Sequence, residues 1–93
     1  MPRFAPHDKL VRAQNIISTD LDHETVLMSI EAGAYYGLEG PAQSIWIALE
    51  SPLSFSALVG RLVEEYQVTP EACAADTEEF LVKLEQEGLV RVA

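Results

Sequence analysis

From Leu10 onward the chain alternates weakly, with Val11, Ala13 and Asn15 on one side and Arg12, Gln14 and Ile16 on the other. The β-branched cluster Ile16, Ile17, Ser18, Thr19 favours extended backbone, and Asp20 to Asp22 marks a turn. After Glu24, the run TVLMSI sets Val26, Met28 and Ile30 against Thr25, Leu27 and Ser29, a strand with one strongly apolar face and one mixed face. Glu31 to Gly33 make a turn, and Ala34 to Leu38 alternate again, with Tyr36 and Leu38 toward the core and Tyr35 opposite. So short a connection predicts an antiparallel hairpin, and the three extended stretches predict a small meander.

Helical periods then take over. Gly40 breaks the strand and Pro41 suits the first position of a helix running to about Glu50, with Ile45, Trp46 and Leu49 as its apolar stripe. Ser54 caps a second helix, in which Phe55, Leu58, Val59, Leu62, Val63 and Tyr66 fall on a single face. Thr69-Pro70 repeats the start signal for a third helix. Its inward face holds Cys73, Thr77, Phe80, Leu81 and Leu84, and Gly88 stops it. Leu89 to Val92 return to the core as a short tail. The expected architecture is α+β: a three-stranded antiparallel sheet followed by a three-helix, winged-helix-like bundle. Residues 1–9 read as a loose arm and 10–93 as one domain.

Composition narrows the function. Fifteen Asp and Glu against six Lys and Arg give a net charge of −9 over 93 residues. The cations are scattered, so nucleic acid and anionic membrane surfaces are disfavoured as partners. A winged-helix regulator would need a basic third helix, and this one carries Glu71, Asp76, Glu78, Glu79, Glu85 and Glu87 against Lys83 alone. The single cysteine, the absence of an apolar signal segment and the lack of any ~20-residue apolar run predict a cytoplasmic protein. His7 and His23 have no carboxylate at ligand spacing, Cys73 sits on an apolar helix face with no base nearby, and no phosphate loop follows Gly37 or Gly40. No enzyme, metal or cofactor is expected.

Two features remain. The short strand Ala34 to Leu38 is a candidate sheet edge, with Gly37 offering no side-chain obstruction. Asp76, Phe80, Lys83 and Glu87 lie along one flank of the third helix. An edge beside such a flank makes a groove that accepts an extended peptide as an added strand.

The succession ETVLMSI, GAYYGLEGPAQSIW, a helix ending in EEY, and DTEEFLVKLEQEGLV resembles the PqqD-like peptide chaperones, over about Val11 to Val92. These are stand-alone recognition elements of pathways that modify ribosomally made peptides (RiPPs). The pattern YYGLEG…IW is closer to members serving lasso-peptide pathways than to those of pyrroloquinoline quinone (PQQ) biosynthesis, where the partner is a radical-SAM enzyme. The resemblance implies that a precursor's leader peptide binds between the third strand (Ala34, Tyr35, Tyr36, Gly37, Leu38) and the third helix (Asp76, Glu79, Phe80, Lys83). It also implies a chain with no chemistry of its own, which delivers the precursor to a leader peptidase or modifying enzyme. Alternatives are the PQQ-type chaperone, the DNA-binding regulator, and a structural subunit of a larger enzyme. Either a monomer or a homodimer is compatible with these residues, since an open edge or a swapped strand can pair two copies.

Overall fold

The strands form two antiparallel sheets. The computed structural model describes residues 3–93 and runs β1 (Lys9–Arg12), β2 (Ile16–Asp20), β3 (Glu24–Ser29), β4 (Ala34–Glu39), α1 (Gly40–Ala48), β5 (Leu53–Ser54), α2 (Phe55–Tyr66), α3 (Pro70–Gln86) and β6 (Val90–Val92). The meander β2-β3-β4 is the expected three-stranded sheet, and three helices follow it. The second sheet, β5-β1-β6, was not expected. Asn15 adopts a left-handed φ of 63°, which breaks the N-terminal alternation in two. β1 leaves the meander and pairs with β5 and β6, so the expected tail at 89–92 is its partner strand.

The expected loose arm is also corrected. Its first two residues lie outside the described ones, but from Arg3 the segment is docked. Phe4 is 2% exposed and stacks on Phe55, ring centroids 5.8 Å apart. Backbone N–H groups of Phe55 and Ser56 donate to Asp8 and Pro6 carbonyls at 2.8 and 3.0 Å. Arg3 reaches α3, where its side chain pairs with Glu85 at 2.5 Å and its backbone N–H donates to Glu78.

β3 buries its mixed face. Thr25, Leu27 and Ser29 point inward, while Val26 and Met28 are half-exposed. The buried hydroxyls are satisfied locally. Thr25 donates to Asp20 at 2.8 Å and accepts from Gln43 of α1 at 3.2 Å, and Ser29 accepts from the Ala32 N–H at 3.2 Å in the hairpin turn.

Each helix has a local cause. Gly40, with φ +56°, turns the chain from β4 into α1, and Pro41 occupies the first turn. α1 ends at Ala48, two residues short of the expected boundary. Ser54 and Thr69 cap α2 and α3 by accepting from Ala57 and Ala72 N–H at 3.1 and 3.3 Å. α2 stops at Gln67 in a left-handed conformation, and Gly88, φ +74°, follows α3. The core gathers around Trp46, Ile45, Leu27, Leu58 and Leu81. Arg12 closes it from outside. Its guanidinium lies 4.4 Å from the Trp46 ring and donates twice to the Trp46 carbonyl, at 2.6 and 3.1 Å. Burial lowers the Arg12 pKa, with Glu50 and then Asp20 opposing the shift; a guanidinium stays charged regardless.

Candidate functional site

β4 is an outer strand. β3 pairs along one side, and no described residue pairs along the other. Which backbone groups face the open side follows from the hairpin next door. Leu21 and Glu24 exchange backbone hydrogen bonds of 2.7 and 3.4 Å across Asp22-His23. Bonded and non-bonded pairs alternate in antiparallel sheets, and the register runs unbroken from that pair through Val26↔Gly37 and Leu27↔Tyr36. Ala34, Tyr36 and Leu38 therefore turn their N–H and C=O groups toward β3. Tyr35 and Gly37 turn theirs to the open edge.

The side chains sort with the pleat. Leu38 is buried, and Tyr36 is half-buried on the inner face. The Tyr36 hydroxyl donates to Glu87 Oε2 at 3.0 Å, joining β4 to the end of α3. That bond, followed by desolvation and the Glu87 charge, raises the Tyr36 pKa above the ordinary phenol value. At the other end of β4, Pro41 shares a cavity wall with Asp76, Thr77 and Phe80. The chain from Tyr36 to Pro41 thus meets α3 at its C-terminal end and near its middle.

The α3 flank frames two hollows. One, of roughly 150 Å³, lies between the three helices and is walled by Pro41, Ile45, Leu62, Tyr66, Val68, Cys73, Asp76, Thr77 and Phe80. It is mostly apolar and open at its mouth. The other, of about 130 Å³, is lined by Asp76, Glu79, Phe80 and Lys83. Asp76 and Phe80 belong to both. Lys83 lies 3.9 Å from Glu79, and both are well exposed, so this pair adds little stability. The flank is negative on balance, since Asp76, Glu79 and Glu87 outnumber Lys83.

The structure therefore groups Asp76, Glu79, Phe80 and Lys83 around one hollow and brings Tyr36 to the same helix. It sends the Tyr35 side chain to the opposite face of the sheet, 73% exposed, leaving only its backbone at the edge. The sequence reading missed Tyr66 and Val68 as cavity walls and Glu87 as the partner of Tyr36. Val68, an apolar residue stranded between two helices, was the available signal. Among the described residues, no cluster of three or more His, Cys, Asp or Glu could hold a metal, and no helix is long and apolar enough to cross a membrane. His7 and His23 are exposed. Cys73 is buried, its Sγ 3.8 Å from the Val59 carbonyl and from Thr77 Oγ1.

Residues 24–90 match the family model described as "Coenzyme PQQ synthesis protein D (PqqD)". No curated protein matches the chain. Among solved structures, TbiB1 in complex with the TbiA(beta) leader peptide is 27% identical, with a TM-score of 0.82, over 87% of this chain and 94% of that one. A lasso peptide synthetase B1 complexed with its leader peptide is 22% identical, with a TM-score of 0.77, over 88% and 96%. The PqqD truncation of Methylobacterium extorquens PqqCD, a stand-alone RiPP recognition element, is 17% identical, with a TM-score of 0.76, over 97% and 96%. The last two are likenesses of fold.

Proposed function

The chain belongs to the PqqD family, and on that footing we propose that it binds the leader segment of a ribosomally made precursor as an extra strand on β4. The observation that carries this reading is the open β4 edge, with the backbone groups of Tyr35 and Gly37 turned outward on a strand whose Tyr36 is bonded to Glu87 at the end of α3. A peptide laid there makes main-chain hydrogen bonds to those two residues. Its side chains on the inner side meet Phe80 and the apolar hollow, and those near the flank meet Asp76, Glu79 and Lys83. TbiB1, solved with a leader peptide, supports the lasso-peptide branch over the PQQ branch. The chain then acts in the cytoplasm without chemistry of its own, presenting its cargo to a leader peptidase or modifying enzyme.

Titration calorimetry with the leader segment of the precursor encoded beside this chain tests the site. Phe80→Ala should weaken binding about tenfold, which is about 1.4 kcal/mol, and the change Lys83→Ala, at a more exposed position, should weaken it by a smaller factor. Unchanged affinity in both variants, with wild-type circular dichroism, places the peptide elsewhere.

A further inference from the structure

The face of the β2-β3-β4 sheet that points away from the helices is apolar and bare. Seven large hydrophobic side chains are exposed among the described residues, and four of them, Ile17, Leu21, Ile30 and Tyr35, belong to this sheet or its turns. The register sets Ile17, Met28 and Tyr35 in one cross-strand row, with Thr19, Val26 and Gly37 in the next. Cross-strand neighbours at this spacing make a continuous surface. β3 turns Val26 and Met28 to this face and buries Thr25 and Ser29 with Leu27 on the inside.

At the end of this surface two carboxylates meet. Glu24 and Glu39 are directly opposite across β3 and β4, and neither forms an ion pair with a described residue. Like charges so placed are destabilising. Glu24 Oε2 lies 3.1 Å from where a Cβ on Gly37 would stand, so this carboxylate leans over β4. An apolar row beside two uncompensated carboxylates complements a surface that brings apolar side chains together with a cation. A second copy of this chain does not fit, because each carries a net charge of −9 and would bring its own carboxylates to the contact. Anionic lipid is repelled in the same way.

We propose that this outer face docks the enzyme that processes the bound peptide, through an apolar patch flanked by Lys or Arg. Only the partner's identity rests on the peptide-delivery reading; the surface does not. A peptide strand added to β4 would lie next to Tyr35 and widen the same face by one strand. The loaded chain therefore presents more contact than the empty one, and peptide and enzyme strengthen each other's binding reciprocally.

The test titrates the purified processing enzyme encoded with the precursor onto the immobilised chain, with and without leader peptide, at low and raised salt. Ile17→Ser should weaken enzyme binding at least tenfold while peptide affinity stays at wild type. The double change Glu24→Gln, Glu39→Gln should keep the fold, weaken enzyme binding and flatten its salt dependence. Equal enzyme affinity in all forms, or no enzyme binding at all, overturns the proposal. So does a wild-type dimer in sedimentation equilibrium that Ile17→Ser dissolves, since a second copy would then cover the face. Enzyme binding that responds to these variants in a chain with no affinity for leader peptide keeps the docking face and removes the peptide reading.

Discussion

Tyr35 and Tyr36 are adjacent in sequence and serve different surfaces. The alternation of a strand sends Tyr36 toward α3 and Tyr35 out to the bare sheet face, and that division was legible from period two alone. The Tyr36 partner was not legible, because Glu87 lies 51 positions away and reaches it only once α3 is packed. Their hydrogen bond has a pH signature. The Tyr36 pKa is raised, first by that bond and then by desolvation, so the folded chain keeps the phenol proton at a pH where the unfolded chain releases it. The contribution is complete below the ordinary phenol value of about 10 and is lost as pH climbs from there through the folded value. Of the three tyrosines, one should therefore ionise late in an absorbance titration. Glu87→Gln should remove that delay. A tyrosine titration identical in wild type and variant would mean that the bond is not formed in solution.

Among the elements, the helices were the most readable. Their caps at Ser54 and Thr69 and the stop at Gly88 are encoded within a few residues, and each appears where the spacing put it. The first sheet was readable as a meander, but the buried face of β3 was not. Hydrophobic periodicity assumes that the apolar face goes inside, and here Thr25 and Ser29 have hydrogen-bond partners that make their burial tolerable. The second sheet was invisible because β1, β5 and β6 are two to four residues each and pair over long separations, as in Leu10↔Leu53 and Leu10↔Val92. Phe4 belongs to that same system. Pro2 and Pro6 on either side of it read as a loose arm, yet it fills a place against Phe55. Phe4→Ala should cost about 3 kcal/mol, read as a lower urea midpoint with an unchanged slope. A loss within about 0.5 kcal/mol, the range of an ordinary surface change, would restore the loose arm.

At the scale of the whole molecule, the open strand and the α3 flank were legible one by one and the spaces beside them were not. Ala34 to Leu38 and Asp76 to Lys83 could be named from local pattern, but the Tyr36–Glu87 bond that ties β4 to the end of α3, and a cavity whose walls come from all three helices, exist only once the helices are packed. The charge of −9 acts on the molecule entire. It sets which partners can approach, and it favours basic ones over acidic ones.

The central claim, an added strand on β4, is tested most directly by amide hydrogen exchange with and without leader peptide. In the free chain the amides of Tyr36 and Leu38, bonded to β3, should exchange slowly and those of Tyr35 and Gly37 quickly. Saturating peptide should slow Tyr35 and Gly37 at least tenfold and leave Tyr36 and Leu38 little changed. Peptide that binds while Tyr35 and Gly37 continue to exchange at their free rates would contradict strand addition on this edge.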